Sequence, residues 1–321
     1  MTSPTLETVP LAACPQCGGT AFDPLPFEYR LAGTRFPAGQ CRRCGLRGLT
    51  VQPAPHEFGR LYSRAYFEGG DVRCGHVGDY FAERPALLED GAHLVAQFEM
   101  LRRGPATAGR LLEVGCASGA VLEAAMKRGW TVQGVEYSGE ASAEARAHGV
   151  PVFTGGLAQA ALPAASYDVA FLGDVLEHVP NPAATLGEVT RVLAPGGALF
   201  LRGPMATHSI ARRGGLALMR TLGRRLVLDE PPYHLWEFEP RTIAALVAGA
   251  GLRLESFRQT KVPPNFAKSR RGAARLAALG VYIVDGANAA WTSLTGMLGD
   301  RCELVARKPA GAHGRGSGSG A

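Results

Sequence analysis

The chain has 321 residues, 46% of them hydrophobic, and a formal net charge of +6. That length carries one large α/β unit plus an appendage, and the ordinary apolar fraction gives a globular chain a sizeable core. The first residues lack a basic start and an apolar run, so no secretory signal is read and a cytoplasmic location is the expectation.

Charge is unevenly spread. Residues 106–204 carry six Lys/Arg against nine Asp/Glu, a net of −3, whereas residues 205–308 carry sixteen against eight, a net of +8. The basic half suits an anionic substrate, a membrane surface or nucleic acid, and equally a solvated Arg-rich surface. No oligomeric state follows from the sequence.

Residues 1–55 are rich in Cys, Pro and Gly, with short extended pieces. CPQC (Cys14, Cys17) and CRRC (Cys41, Cys44) are each followed by glycine. Four soft ligands in paired knuckles suit tetrahedral Zn²⁺ with no open position, hence a structural metal in a zinc-ribbon-like module. The separation of the pairs exceeds the usual ribbon spacing, and an extended hairpin accommodates it. Cys74, Cys116 and Cys302 are scattered and are expected to pack as small apolar side chains. Residues 56–105 form a helical lid or linker: aromatic Tyr62, Tyr66 and Phe67 precede a helix over ALLEDGAHLVAQFEMLRR.

From residue 106 strands and helices alternate. RLLEVG, TVQGVEYS, VPVFTGG, SYDVAFLGD and GGALFLRGP read as strands. Helices are expected over GAVLEAAMKRG, over SGEASAEARAHG with Ser138 as N-cap and Gly149 as stop, and over NPAATLGEVTRVL starting at Pro182. Such alternation gives right-handed crossovers and a parallel sheet. An insertion at 205–239 holds Arg212, Arg213, Arg220, Arg224 and Arg225 and then PPYHLWEFEP. A helix over PRTIAALVAGAG and strands over LRLESFRQ and RCELVARK complete the unit at residue 308. The apolar stretch 276–298 is interrupted by Asp285 and Asn288, which argues against a membrane span. The Gly/Ser-rich tail, 309–321, is expected to be disordered.

The turn GCASG leaves the first strand where parallel sheets receive ligands. Gly115 and Gly119 let backbone approach a ligand, and the following helix start offers N–H groups to a carboxylate. The spacing is GxxxG, not the three-glycine dinucleotide fingerprint. Glu136, twenty-one residues after Gly115 and at the end of the second strand, can accept hydrogen bonds from two ribose hydroxyls.

RLLEVGCASGAVLEAA, VQGVEYS and YDVAFLGDVLEHVPNPAATLGEVTRVLAPGGALFLRGP closely resemble class I S-adenosylmethionine-dependent methyltransferases, most of all small-molecule enzymes related to quinone-biosynthesis O-methyltransferases. The resemblance covers roughly residues 106–260. It implies a Rossmann-like α/β fold with a seven-stranded sheet whose last strand is antiparallel, and S-adenosylmethionine as cofactor. By the same resemblance, Glu113, Gly115, Cys116 and Gly119 line the methionine part, and Glu136 and Tyr137 flank ribose and adenine. Gly156 and Leu157 edge the adenine, and Gly173 and Asp174 lie beside the sulfonium. Ala117 and Ser118 depart from the pattern, since many relatives carry a third glycine there. The segment with Tyr62 and Tyr66 closes over the cofactor in such enzymes. A zinc knuckle ahead of this core also resembles deoxysugar C-methyltransferases, without their carboxyl-terminal domain.

The expected function is methyl transfer to a small-molecule acceptor, at a hydroxyl, in a biosynthetic pathway. His178, just after the fourth strand, is placed as a general base or as a local structural group. His234 and Trp236 are candidates for acceptor contacts or a hydrophobic anchor for the next helix. RNA methylation is an alternative suggested by the basic half, but the zinc segment has few interleaved aromatics, and PPY follows the fifth strand rather than the fourth. A non-catalytic cofactor-binding protein is a third reading, opposed by the Gly115, Gly119 and Glu136 set. A lipid-linked acceptor is a fourth, suggested by the Arg-rich insertion and the apolar 276–298 stretch.

Overall fold

Short runs in the first 53 residues form five strands: β1 (Thr8–Pro10), β2 (Phe22–Leu31), β3 (Thr34–Cys41), β4 (Arg47–Leu49) and β5 (Val51–Pro53). The computed structural model describes residues 6–31, 33–68, 79–102, 109–205, 210–228, 232–261 and 274–310. Cys74, residues 311–321 and the side chains of Arg212, Arg213 and Asp285 lie outside the described residues. Two short helical turns, α1 (Phe58–Leu61) and α2 (Arg64–Phe67), lead to α3 (Arg84–Leu101).

The alternating half then folds in order: β6 (Arg110–Val114), α4 (Ala120–Lys127), β7 (Thr131–Glu136), α5 (Gly139–Ala147), β8 (Val152–Thr154), β9 (Tyr167–Gly173), α6 (Pro182–Val192) and β10 (Leu193–Pro204). Local signals set the helix ends. The Ser138 side chain accepts the Ala141 N–H, and the Asn181 side chain accepts the Ala184 N–H ahead of Pro182. After β10 come α7 (Ile210–Thr221), β11 (Leu226–Leu228), β12 (Trp236–Glu237), α8 (Pro240–Gly249), β13 (Arg253–Thr260), α9 (Ala274–Thr295) and β14 (Arg301–Arg307). No helix among the described residues is long and apolar enough to cross a membrane.

Seven strands make one sheet in the order β13-β14-β10-β9-β6-β7-β8. β6, β7, β8, β9 and β10 are parallel, and β14 is antiparallel to both neighbours. Both faces are covered, so the central strands are apolar throughout: Val169, Ala170, Phe171 and Leu172 are all buried. Successive residues face opposite layers. Leu111 packs with Phe98 and Leu122 under α3 and α4, whereas Leu112 packs with Leu186 and Leu246 of α6 and α8. Cys116 and Cys302 are buried within these layers. The parallel strands end at one edge, which therefore gathers Gly115, Glu136 and Gly173.

The insertion does not stand apart from the amino-terminal strands. A second sheet runs β11-β2-β3-β4-β12, so both of its edge strands come from the 205–239 segment. β11 joins β2 in parallel and β12 joins β4 antiparallel. Trp236 on β12 is 1% exposed and lies over Gly48, where a Cβ would collide with the indole. Its Nε1–H donates to the Val179 carbonyl at 2.8 Å, which ties the second sheet to the loop after β9.

Candidate active site

The chain turns sharply after β6. Gly115 (φ +72°) and Gly119 (φ +73°) both occupy the left-handed region, and Ala117 (φ 45°) does so between them. A Cβ on Gly115 would run into Val175. The Val135 carbonyl accepts the N–H groups of Gly115 and Cys116 at 2.7 and 3.3 Å. From outside the turn, Arg84 donates to the Ser118 carbonyl at 2.9 Å and pairs with Glu123.

Glu136 holds the turn from inside. Its Oε2 accepts the Ala117 N–H at 2.9 Å and its Oε1 the Ser138 N–H at 2.8 Å. Burial raises its pKa despite these donors. Glu113 is also buried, and burial, with Glu136 nearby, pushes it well above the usual carboxylate range. Its Oε2 has no hydrogen-bond partner. Tyr137 is exposed, and its hydroxyl donates to the Pro55 carbonyl at 3.3 Å. Gly156 precedes a short 3₁₀ turn whose first residue, Leu157, is buried in the core.

Past Gly173, Asp174 adopts φ 54°. Arg301, at the start of β14, donates to both of its carboxylate oxygens at 2.6 and 2.7 Å. Three residues on, Glu177 is 2% exposed and its Oε1 has no partner. Burial, with Asp174 nearby, raises its pKa well above the usual range. The Nδ1–H of His178 donates to the Tyr233 carbonyl at 2.9 Å, and the Tyr62 hydroxyl oxygen lies 2.9 Å from the same nitrogen. A carbonyl only accepts, so the proton resides on Nδ1 and Nε2 keeps its lone pair. Burial lowers the His178 pKa to about 4, so the ring is neutral near pH 7.

Aromatic rings close over this group. Tyr62, Tyr66 and Tyr233 have centroids 4.9–5.9 Å apart. The His234 ring lies 4.9 Å from that of His178 at 74°. Trp236 sits behind this wall in the seam between the sheets. Sequence reasoning passed over Tyr233, Glu177, Arg84 and Arg301. The first two stand beside residues already singled out, in PPYH and LEHV; nothing local marks the arginines, which meet their partners far along the chain.

The four cysteines converge on one point. Cys14 and Cys44 sulfurs lie 3.5 Å apart, and those of Cys17 and Cys41 3.6 Å apart, with all four within 4.8 Å of one another. Gly18 and Gly45 take φ +70° and +80°, the bends that turn each knuckle back on itself. Ligands about 2.3 Å from a tetrahedral Zn²⁺ stand about 3.8 Å from each other, so this donor set fits that ion.

A family described as "Methyltransferase domain" matches residues 80–256. The chain belongs to this methyltransferase family. The methyltransferase is similar to a protein named ubiquinone biosynthesis O-methyltransferase from Xanthomonas axonopodis pv. citri (strain 306), with 33% identity over 171 residues, 50% of this chain and 68% of that relative. A protein of the same name from Azoarcus sp. (strain BH72) is 30% identical over 158 residues, 46% of this chain and 65% of the relative, just under two thirds of its length. Among solved structures, a SAM-dependent methyltransferase from Archaeoglobus fulgidus aligns with 71% of this chain and 99% of its own at 16% identity, TM-score 0.48.

The methyltransferase's turn is chemically suited to S-adenosylmethionine, the family's methyl donor. An orphaned buried carboxylate costs several kcal/mol, roughly, unless a cation or proton meets it. Glu113 Oε2 is such a group, and the cofactor's ammonium and sulfonium are cations.

Proposed function

We propose that this methyltransferase transfers a methyl group from S-adenosylmethionine to a hydroxyl of a small-molecule acceptor in a cytoplasmic biosynthetic pathway. The relatives named ubiquinone biosynthesis O-methyltransferase support a hydroxyl acceptor. The observation that carries the reading is the His178 ring, neutral and held by the Tyr233 carbonyl with its Nε2 lone pair 3.7 Å from Glu177 Oε1.

When bound, the cofactor supplies an electrophilic methyl on sulfur. Glu113, Gly115, Cys116 and Gly119 receive its methionine part, and Glu136 and Tyr137 its ribose and adenine. Gly156 and Leu157 edge the adenine, while Gly173 and Asp174 flank the sulfonium. Tyr62, Tyr66 and His234 hold the acceptor, with Trp236 bracing the wall behind them. As the oxygen–methyl bond forms and the sulfur–methyl bond breaks, the hydroxyl proton passes to His178 Nε2 and on to water. A ring with a pKa of about 4 is a weak base, so alignment and exclusion of water supply most of the rate.

Cys14, Cys17, Cys41 and Cys44 hold a structural Zn²⁺ in this reading, and the chain divides into a zinc module (1–55), a lid (56–105) and the methyltransferase domain (106–308). One observation favours a lipid-linked acceptor. Exposed apolar side chains gather on α7, just past its end and on α9, among them Leu218, Leu222, Ile283, Trp291 and Leu294, and both helices follow strands that end at the edge that bears the site.

The test is incubation of purified protein with methyl-labelled S-adenosylmethionine and a panel of phenols and catechols, with and without a polyprenyl tail. Mass spectrometry should show a methyl ether. Transfer only to nitrogen or carbon would exclude the hydroxyl reading.

A further inference from the structure

We infer that Arg30, Arg35 and Arg225 form a binding site for a phosphate group, on the second sheet rather than at the cofactor turn. Alternation along the strands puts these side chains and Glu28 on one face of that sheet. Glu28 and Arg30 are two apart on β2, and Arg35 of β3 lies directly opposite Arg30. Arg225 stands two residues before Val227, the β11 partner of Glu28. The other face sends Phe27, Tyr29 and Phe36 into the core.

Two observations separate this cluster from ordinary surface arginines. First, its charges do not balance. Glu28 is 1% exposed and is shared by all three, with Arg35 at 2.5 Å, Arg30 at 3.2 Å and Arg225 at 3.7 Å. Three guanidiniums against one carboxylate leave a surplus of two positive charges, and among the described residues no other acidic group pairs with them. Like charges directly opposite each other on paired strands are destabilising, and Arg30 and Arg35 are so placed. A phosphate group carries about −1.5 to −2 charge near pH 7, which cancels the surplus.

Second, most of the donors are unspent. Arg35 gives Glu28 two hydrogen bonds, through Nε and Nη2, and Arg30 gives one. Arg225 gives none, since 3.7 Å is too long; the pairing of β11 with β2 holds it there. Each guanidinium has five N–H donors in a planar fork that matches phosphate oxygens. The buried carboxylate orients the Arg35 and Arg30 forks from below without confronting the ligand. The three arginine side chains stay 44–58% exposed, so a ligand can reach them. The phosphate is borne by a soluble ester or by a lipid headgroup, and the chemistry that recognises it is the same.

The experiment is a titration of the full chain with inorganic phosphate at constant ionic strength, read by ³¹P line broadening. Fixed salt keeps the screening of diffuse charge constant. Wild-type protein should saturate. Arg225→Gln and Arg30→Gln should each weaken binding by about tenfold or more, through lost charge-assisted contacts. Arg220→Gln, which removes the same charge from an exposed position in the same insertion, should bind as wild type does. Circular dichroism melts establish that each variant is folded. Absence of saturation, cluster variants that bind as wild type does, or an equal loss in Arg220→Gln would overturn the site. Displacement of bound phosphate by phenyl phosphate assigns a soluble ester; displacement by vesicles of phosphatidic acid, but not of phosphatidylcholine, assigns a headgroup. Displacement by neither would also overturn the inference, leaving an adventitious ion only. Phosphate binding needs neither cofactor nor acceptor, so it stands or falls apart from the methyl-transfer reading.

Discussion

His178 Nδ1 and the Tyr233 carbonyl oxygen are 2.9 Å apart, although 55 residues separate them. This bond assigns the ring tautomer and turns Nε2 toward Glu177. His178→Ala should lower kcat by roughly 10²-fold, the low end of the range for a lost proton-transfer group, because so weak a base contributes less than one matched to neutral pH. Affinity for S-adenosylmethionine, read by calorimetry, should change less than about twofold, because the ring's partners Tyr62, Tyr233 and His234 lie outside the turn.

Glu136 accepts two backbone N–H bonds that shape the cofactor turn. Hydrogen bonds to a charged group contribute about 1.5–3 kcal/mol each, so Glu136→Ala should raise the Kd for S-adenosylmethionine by more than about tenfold. Gly115→Ala should do more damage, since it adds strain at φ +72° and a collision with Val175. Unchanged calorimetric affinity in both variants would count against this turn as the cofactor site.

Trp236 fills the seam between the two sheets. Removing so large a buried ring costs about 3–5 kcal/mol, so Trp236→Ala should show that loss in a denaturant titration.

Glu28 is buried beside Arg35 at 2.5 Å and Arg30 at 3.2 Å, with Arg225 of the insertion at 3.7 Å. The Arg35 hydrogen bond, with Arg30 assisting, holds its carboxyl below the usual range. A lowered folded pKa means that the stabilisation is complete above the unfolded value and is lost as pH falls through the folded one. The difference in Tm between wild type and Glu28→Gln should be widest near neutral pH and should close in acid.

Zinc removal should act at a distance. Stripping a metal held by the four cysteines with a chelator should lower Tm and cut methyl transfer by about tenfold or more, because His234 directly precedes Leu235 and β12, which pair with β4 of the cysteine-bearing module. Cofactor affinity should persist, since the turn hangs on the other sheet. Calorimetry and turnover on the same metal-free sample check both.

The succession of strands and helices along the chain was legible because each βα unit carries its own punctuation: an apolar run, a glycine turn, then a capped helix such as that of Ser138 or Asn181. The cysteine cluster was legible for a similar reason, as its ligands sit in two local knuckles. What escaped depends on contacts between distant segments. β11 and β12 have three and two residues, too few for a periodic signal, and become strands only because β2 and β4 offer edges. Arg301 meets Asp174 across 127 residues. The isolation of Glu177 Oε1 is a property of the packed interior, and no residue pattern encodes it. His234 and Trp236 drew notice as one motif, yet the fold gives them opposite surroundings, one against the His178 ring and one sealed in the seam.

The sheet shared by the two ends of the chain also bears on how the protein can be cut or inherited. A boundary at residue 56 looks natural from the sequence, but a fragment starting there would lose the partners of β11 and β12 and bare Leu235 and Trp236 to water. Such a fragment carries unpaired strand edges beside a sticky apolar face, the combination that drives aggregation. Swapping the first 55 residues between related enzymes would therefore require moving the 205–239 segment with them, so the two behave as one heritable cassette despite the 149 residues of chain between them.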